Sequence, residues 1–132
     1  MFVGQYELLE RIGMGGMAEV FLARQTGEEG FERMVAIKRI LPGISADDQF
    51  VSMFIDEAKI AVQLSHPNIA TIYDLGRDDE VYFIAQEYVA GRDMGALTKR
   101  LADGPAGALS LPLEFVVTVA MRVCEALAHA HE

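Results

Sequence analysis

The chain has 132 residues, 52% of them hydrophobic and 23% charged, which is enough for a domain-sized core and too apolar for a disordered segment. Lys and Arg number 11 against 20 Asp and Glu, and the formal net charge of −9 argues against nonspecific nucleic-acid binding and against docking on anionic membranes. The single cysteine, Cys124, has no internal disulfide partner, Met1–Glu7 lacks the basic start and apolar run of a signal peptide, and no apolar stretch is long enough to cross a bilayer, so a cytoplasmic location is expected.

Tyr6 to Ile12 reads as a strand, partly exposed because it carries Glu7, Glu10 and Arg11. Gly13-Met14-Gly15-Gly16 reads as a tight turn, and Glu19 to Arg24 as a second strand. After the polar connection Gly27-Glu28-Glu29-Gly30, Met34 to Ile40 forms a third strand that Pro42-Gly43 breaks. Ser45 is placed to cap a helix with Asp47 and Asp48 in its first turn, running to about Ser65 and stopped by His66-Pro67. Ile69 to Leu75 and Glu80 to Tyr88 are two more strands, joined through Gly76-Arg77-Asp78-Asp79. Met94 to Leu101 reads as a short helix, Asp103 to Gly107 as a flexible loop, and Leu113 to the end as a long helix. In that last helix Thr118, Arg122, Glu125 and His129 form one narrow polar stripe on an otherwise apolar surface. Such a helix wants burial on most sides, so self-association through 113–132 is expected.

Two charges stand where the pattern calls for apolar residues. In the third strand, side chains alternate between faces, so Met34, Ala36, Lys38 and Ile40 share one face and Lys38 is its only charge. In the helix, Phe50, Met53, Phe54, Ala61 and Leu64 lie three, four or seven residues from Glu57, which puts Glu57 within the apolar stripe. Taken singly, a strand lysine is usually a snorkelling surface residue and a helix glutamate usually sits on the wet face. Two stranded charges of opposite sign are costly apart and tolerable together, so the two are expected to pair. Upstream, Ile12-Gly13-Met14-Gly15-Gly16-Met17-Ala18-Glu19-Val20 is a glycine-rich loop whose bare backbone could approach phosphate oxygens. Such a turn often only closes a hairpin. The same string also fits the dinucleotide pattern G-x-G-x-x-A with Ala18 last, a reading that requires a helix rather than a strand from Glu19 to Arg24.

The loop, then Val35-Ala36-Ile37-Lys38, then a helix bearing Glu57, resembles the ATP-binding lobe of a protein kinase, and the Gly-Gly-Met style of the loop is similar to that of bacterial Ser/Thr kinases. The likeness continues through His66-Pro67-Asn68-Ile69, Phe83 to Val89 and Ala90-Gly91-Arg92-Asp93, and so covers nearly the whole chain. The resemblance implies an α+β fold: a five-stranded antiparallel sheet with one helix, followed by the first helices of a helical second lobe. The division it implies is 1–89 for the first lobe and hinge and 90–132 for the start of the second.

It also implies roles. Ile12, Gly13, Met14, Gly15, Gly16, Met17, Ala18 and Val20 would cover the nucleotide, with Val20 and Ala36 sandwiching the adenine. Lys38 would hold the α- and β-phosphates with Glu57 fixing its direction, Gln86 would stand beside the adenine pocket, backbone groups of Glu87 and Val89 would bind the adenine edge, and Asp93 would reach the ribose. Ala18 replaces the glycine many kinases carry. The family's H-R-D-x-x-x-x-N and D-F-G motifs do not occur, so neither a catalytic base nor a ligand for Mg²⁺ is expected from this chain, and His129 and His131 read as ordinary helix-end residues. The implied partners are ATP and a protein substrate that these motifs leave unspecified. The parent activity is transfer of the ATP γ-phosphoryl group to Ser or Thr hydroxyls. A non-catalytic nucleotide- or partner-binding module and, remotely, a dinucleotide-dependent oxidoreductase are the alternatives.

Overall fold

A computed structural model describes residues 1–103 and 112–132, which divide into two compact units, 1–65 with 69–88 and 66–68 with 89–132. The expected loop from Asp103 to Gly107 lies, beyond Asp103, outside the described residues.

The first unit is a six-stranded antiparallel sheet with one helix against it. In chain order its strands are β1 (Phe2–Val3), β2 (Tyr6–Met14), β3 (Ala18–Thr26), β4 (Glu32–Ile40), β5 (Ile72–Asp78) and β6 (Val81–Glu87), and helix α1 (Asp48–Ala61) follows β4. The strand order across the sheet is β1-β2-β3-β4-β6-β5. The sixth strand, β1, was not expected from the sequence. It forms because Gly4 takes φ 57°, folding Phe2–Val3 back onto Tyr6–Glu7.

Register sorts the side chains into two faces. Ala23, Val35, Ile37, Phe83 and Ala85 point one way, where Val3 and Tyr6 join them in a buried cluster and Tyr6 meets Phe83 edge to face at 5.9 Å. Ala18, Ile40 and Ile84 point the other way and pack against Phe54 and Ala58 of α1. β4 is therefore covered on both faces, with Val35, Ala36 and Ile37 buried in succession. β2 is less regular than its sequence suggested. Its pairing with β3 slips between Leu8 and Glu10 and again between Arg11 and Gly13, leaving Leu9 and Ile12 as unmatched bulge residues and adding twist before the loop. Toward the other end of these strands Arg24 bonds Glu7, which holds the guanidinium pKa above its ordinary value.

Element ends differ from the sequence reading in ways that have local causes. α1 is capped by Asp47, not Ser45: the Asp47 carboxylate accepts from Gln49 N at 3.0 Å and Phe50 N at 3.4 Å, whereas Ser45 Oγ donates to the Pro42 carbonyl in the preceding turn. The helix ends at Ala61 rather than about Ser65. The hairpin between β5 and β6 turns at Asp79-Glu80, both with positive φ, rather than around Gly76. Gly76 is instead a strand residue paired with Phe83, and a Cβ there would stand 2.4 Å from Phe83 Cζ.

The second unit holds α2 (Met94–Ala102) and α3 (Leu113–Ala130). The polar stripe of α3 is where His66-Pro67-Asn68 packs: Asn68 Nδ2 donates to the Arg122 carbonyl at 3.0 Å and to Glu125 Oε2 at 3.2 Å, and the rings of His66 and His129 lie 5.3 Å apart. Elsewhere most of the helix is uncovered by the described residues. Leu113, Phe115, Val116, Val117, Met121, Val123 and Leu127 are all exposed. No helix among the described residues is long and apolar enough to cross a membrane.

Two outcomes are expected. Gly76→Ala lowers unfolding free energy by about 2 kcal/mol, because the ring of Phe83 must leave its rotamer or the strand must shift; urea denaturation measures this. The isolated chain self-associates, and replacing Val117, Met121 and Leu127 with Gln returns it to a monomer in light scattering without loss of helical circular dichroism.

Candidate functional site

The site is built from strand parity. Val20 pairs with Lys38, and Leu22 with Ala36, while Lys38 and Ala36 pair onward with Ile84 and Gln86. Paired residues share a face, so Val20, Ala36, Lys38 and Gln86 all stand on the α1 side of the sheet. Lys38 Nζ donates to Glu57 Oε1 at 2.8 Å and lies 5.8 Å from the ring centroid of Phe54. Around this pair opens a pocket of about 370 Å³, lined on the sheet side by Met17, Ala18 and Ile40 and on the helix side by Phe50, Met53 and Ile60.

The pairing occurs, but not for the reason the sequence suggested. The Lys38 side chain is 28% exposed and that of Glu57 is 59% exposed. α1 carries two adjacent apolar stripes. Phe54 and Ala58, with Val51 beside them, face the sheet; Phe50, Met53 and Ile60, with Glu57, face the pocket. Glu57 thus lies at the edge of the buried stripe rather than within it. A pair this exposed is worth under about 1 kcal/mol, so stability does not account for it.

The glycine-rich segment is shorter as a turn than its sequence implied. β2 runs through Gly13 and Met14, which pair with Val20 and Glu19. The turn is then closed by Gly15 N donating to the Ala18 carbonyl at 2.8 Å, and Met17 accepts from Leu41 N at 2.9 Å. Ile12, Met14 and Met17 are exposed. The segment after the loop is the strand β3, not a helix, which removes the dinucleotide reading.

At the far end of β6, Gln86 is half-buried and Glu87 is fixed at both ends: its N–H donates to the Thr71 carbonyl at 2.8 Å and its carboxylate accepts from Thr71 N at 3.0 Å. Val89 and Asp93 belong to the second unit, where Asp93 caps α2 by accepting from Ala96 N at 2.6 Å. Among the described residues no three His, Cys, Asp or Glu side chains stand together as a metal site.

One charged residue beside the loop was not singled out from the sequence. Glu19 is 7% exposed and is bonded by Arg39. The signal was available in the strand pairing, which sets the residue before Val20 opposite the residue after Lys38.

The protein kinase domain family matches residues 6–132. Over 129 residues the chain is 44% identical to the tyrosine-protein kinase MasK of Myxococcus xanthus, covering 98% of this chain and 20% of that protein. It is 38% identical to the serine/threonine-protein kinase PrkC of Bacillus subtilis, covering 98% of this chain and 18% of the other. The crystal structure of the Mycobacterium tuberculosis PknI kinase domain superposes with a TM-score of 0.74 at 33% identity, over 99% of this chain and 50% of that one. The chain thus spans about a fifth of the curated relatives it matches.

Because the Lys38–Glu57 pair is half-solvated, Glu57→Gln should change unfolding free energy by less than about 1 kcal/mol, while Asp47→Ala, which removes the cap of the same helix, should cost about 1 kcal/mol or more. Parallel urea denaturation of the two variants measures the contrast.

Proposed function

The chain belongs to the protein kinase family, and on that footing we propose that its first unit binds ATP between the glycine-rich loop and the Lys38 face of the sheet, as part of an enzyme that phosphorylates Ser or Thr hydroxyls of proteins. The observation that carries this is glycine without an internal reason. Gly13, Gly15 and Gly16 all lie outside the positive-φ region, and a Cβ added at Gly16 would meet no atom within 4 Å, with only ordinary contacts at the other two. Neither the backbone nor the packing of this chain requires glycine there. A ligand approaching the loop amides does.

Residues then fall into roles by position. Between Gly13 and Met17, the backbone N–H groups other than that of Gly15, which the Ala18 carbonyl already accepts, would meet phosphate oxygens, with Ile12 and Ala18 closing the ends of the loop. Val20 and Ala36 share the Lys38 face and would flank a flat base. Gln86 lies beside Ala36, and the carbonyl of Glu87 and the N–H of Val89 would meet the base edge; Asp93, with one oxygen capping α2, would offer the other to a ribose hydroxyl. The Lys38 ammonium would neutralise phosphate oxygens while Glu57 holds it in direction. Bound ATP would supply the γ-phosphoryl group. Mg²⁺ and a catalytic base belong to motifs that this sequence lacks, so transfer is proposed for a longer protein and not for residues 1–132 alone. The lobe division at residue 89 goes with this reading. So does a cytoplasmic setting, on the single unpaired and exposed Cys124.

Calorimetric titration with ATP tests the site. Lys38→Met should weaken binding by roughly tenfold or more, the loss of one charge-assisted contact, and unchanged affinity would overturn the role given to Lys38. With radiolabelled ATP and a generic protein substrate the chain alone should transfer nothing above background. Phosphoamino-acid analysis of a longer, active protein decides the hydroxyl class: PrkC is named a serine/threonine-protein kinase and MasK a tyrosine-protein kinase, so phosphotyrosine alone would correct the proposal.

A further inference from the structure

Glu19 is the buried charged residue among the described residues, and no part of the nucleotide site uses it. It sits on β3 one residue before Val20, with its side chain on the opposite face from Lys38. Its Oε1 accepts from Arg39 Nε at 3.2 Å and Nη2 at 2.6 Å. Its Oε2 lies 3.9 Å from Nη1 of Arg11. The Arg39 guanidinium is also 5.1 Å from the ring centroid of Phe21. One carboxylate therefore joins three strands: β2 through Arg11, β3 through itself and β4 through Arg39. These are the two stems of the glycine-rich turn and the strand that carries Lys38.

The register makes the coupling direct. Glu19 is the paired residue of both Met14 and Arg39, and the next rung holds Gly13, Val20 and Lys38. The charged rung on one face thus fixes the lateral position of the phosphate-facing rung on the other. The loop otherwise has little to hold it. Its tip is closed by the Gly15–Ala18 hydrogen bond and tied to β4 by the Met17–Leu41 hydrogen bond. Its stem on β2 is loosened by the bulge at Ile12, and Ile12, Met14 and Met17 are all exposed. Two arginines on one carboxylate leave the cluster with net positive charge, so the carboxylate cannot be removed without setting Arg11 and Arg39 against each other.

We infer that Glu19 is a positioning residue for the glycine-rich loop, clamping its two stems to the Lys38 strand from the far side of the sheet. Its value to function rests on Gly13 to Met17 being the phosphate-facing loop, but the clamp itself is a property of the protein without nucleotide.

Amide hydrogen exchange on the nucleotide-free chain tests it. Glu19→Gln should speed exchange by about tenfold at Gly15, whose N–H is bonded to the Ala18 carbonyl, and at Leu41, whose N–H is bonded to the Met17 carbonyl, while Val35, Ala36 and Ile37 in the middle of β4 keep their protection. The exchanged pair Glu19→Arg with Arg39→Glu should restore part of the loop protection. Should Glu19→Gln fail to fold, Arg11→Gln at an exposed side chain serves, with a smaller rise at the same amides. Uniform acceleration through β2, β3 and β4 would mark a merely structural residue, and unchanged loop exchange would mark no role; either result overturns the inference. Protection of the loop amides on adding ATP is scored separately and reports on the nucleotide site alone.

Discussion

The constraint on which the first unit depends is that β4 must be a strand with two working faces. A strand covered on one side alternates apolar and polar residues, but Val35, Ala36 and Ile37 are buried in succession because β4 has the curled sheet on one face and the α1 side on the other. Such a strand has no fully wet face for its charges. Lys38 and Arg39 follow at once, at consecutive positions and so on opposite faces. Each meets a carboxylate: Lys38 that of Glu57 in the open pocket, Arg39 that of Glu19 under the loop stems. The two ion pairs are thus consecutive rungs of one ladder, one facing the pocket and one on the opposite face of the sheet.

Strand parity is also what made the site legible in the sequence. Ala36 and Lys38 differ by two, so their common face follows without any tertiary information, and Glu57 follows as the nearby acid on an amphipathic helix. The degree of burial was not legible. α1 has apolar residues on two neighbouring stripes, and the pattern Phe50, Met53, Phe54 with Ala61 and Leu64 does not say which stripe meets the sheet. The structure gives that place to Phe54 and Ala58 and leaves Glu57 beside a pocket. Boundaries failed where two local signals competed. Ser45 and Asp47 are both good caps, and Asp47 prevails because it stands one residue before the first turn while Ser45 is already bonded to Pro42. Gly76 looked like a turn residue because glycine usually punctuates chains. Its true cause is Phe83, a ring seven residues away in sequence that leaves no room for a Cβ.

The second unit shows the same logic with the opposite balance. Its long helix α3 has one polar stripe, and the chain supplies a polar partner for that stripe: Asn68 on Arg122 and Glu125, His66 beside His129. His66-Pro67-Asn68, which the sequence marks as a helix stop, therefore also supplies polar partners to α3. Among the described residues no such partner meets most of the apolar remainder: Leu113, Phe115, Val116, Val117, Met121, Val123 and Leu127 are exposed. The order of satisfaction is informative. Polar groups need directional partners and have found them within the unit, whereas apolar area needs only volume and can be covered by any packed neighbour.

The Lys38–Glu57 pair itself is energetically slight, which would suit it to the proposed ligand site. A half-solvated ion pair of less than about 1 kcal/mol cannot hold a helix in place. Burial of Phe54 alone is worth roughly 2–3 kcal/mol, so the sheet contact of α1, not the ion pair, sets where Glu57 stands. The ammonium is then held in direction without being held tightly. On the proposed reading, a phosphate oxygen arriving at Nζ would compete with one exposed carboxylate oxygen rather than with a buried network, and the carboxylate that yields would remain solvated. The Arg39–Glu19 pair is the converse case. There the carboxylate is buried, and withdrawal of Arg39 would leave it with only the longer contact to Arg11 and little water. Of two adjacent basic residues, the strand thus presents one that can be given to a ligand and one that must stay where it is.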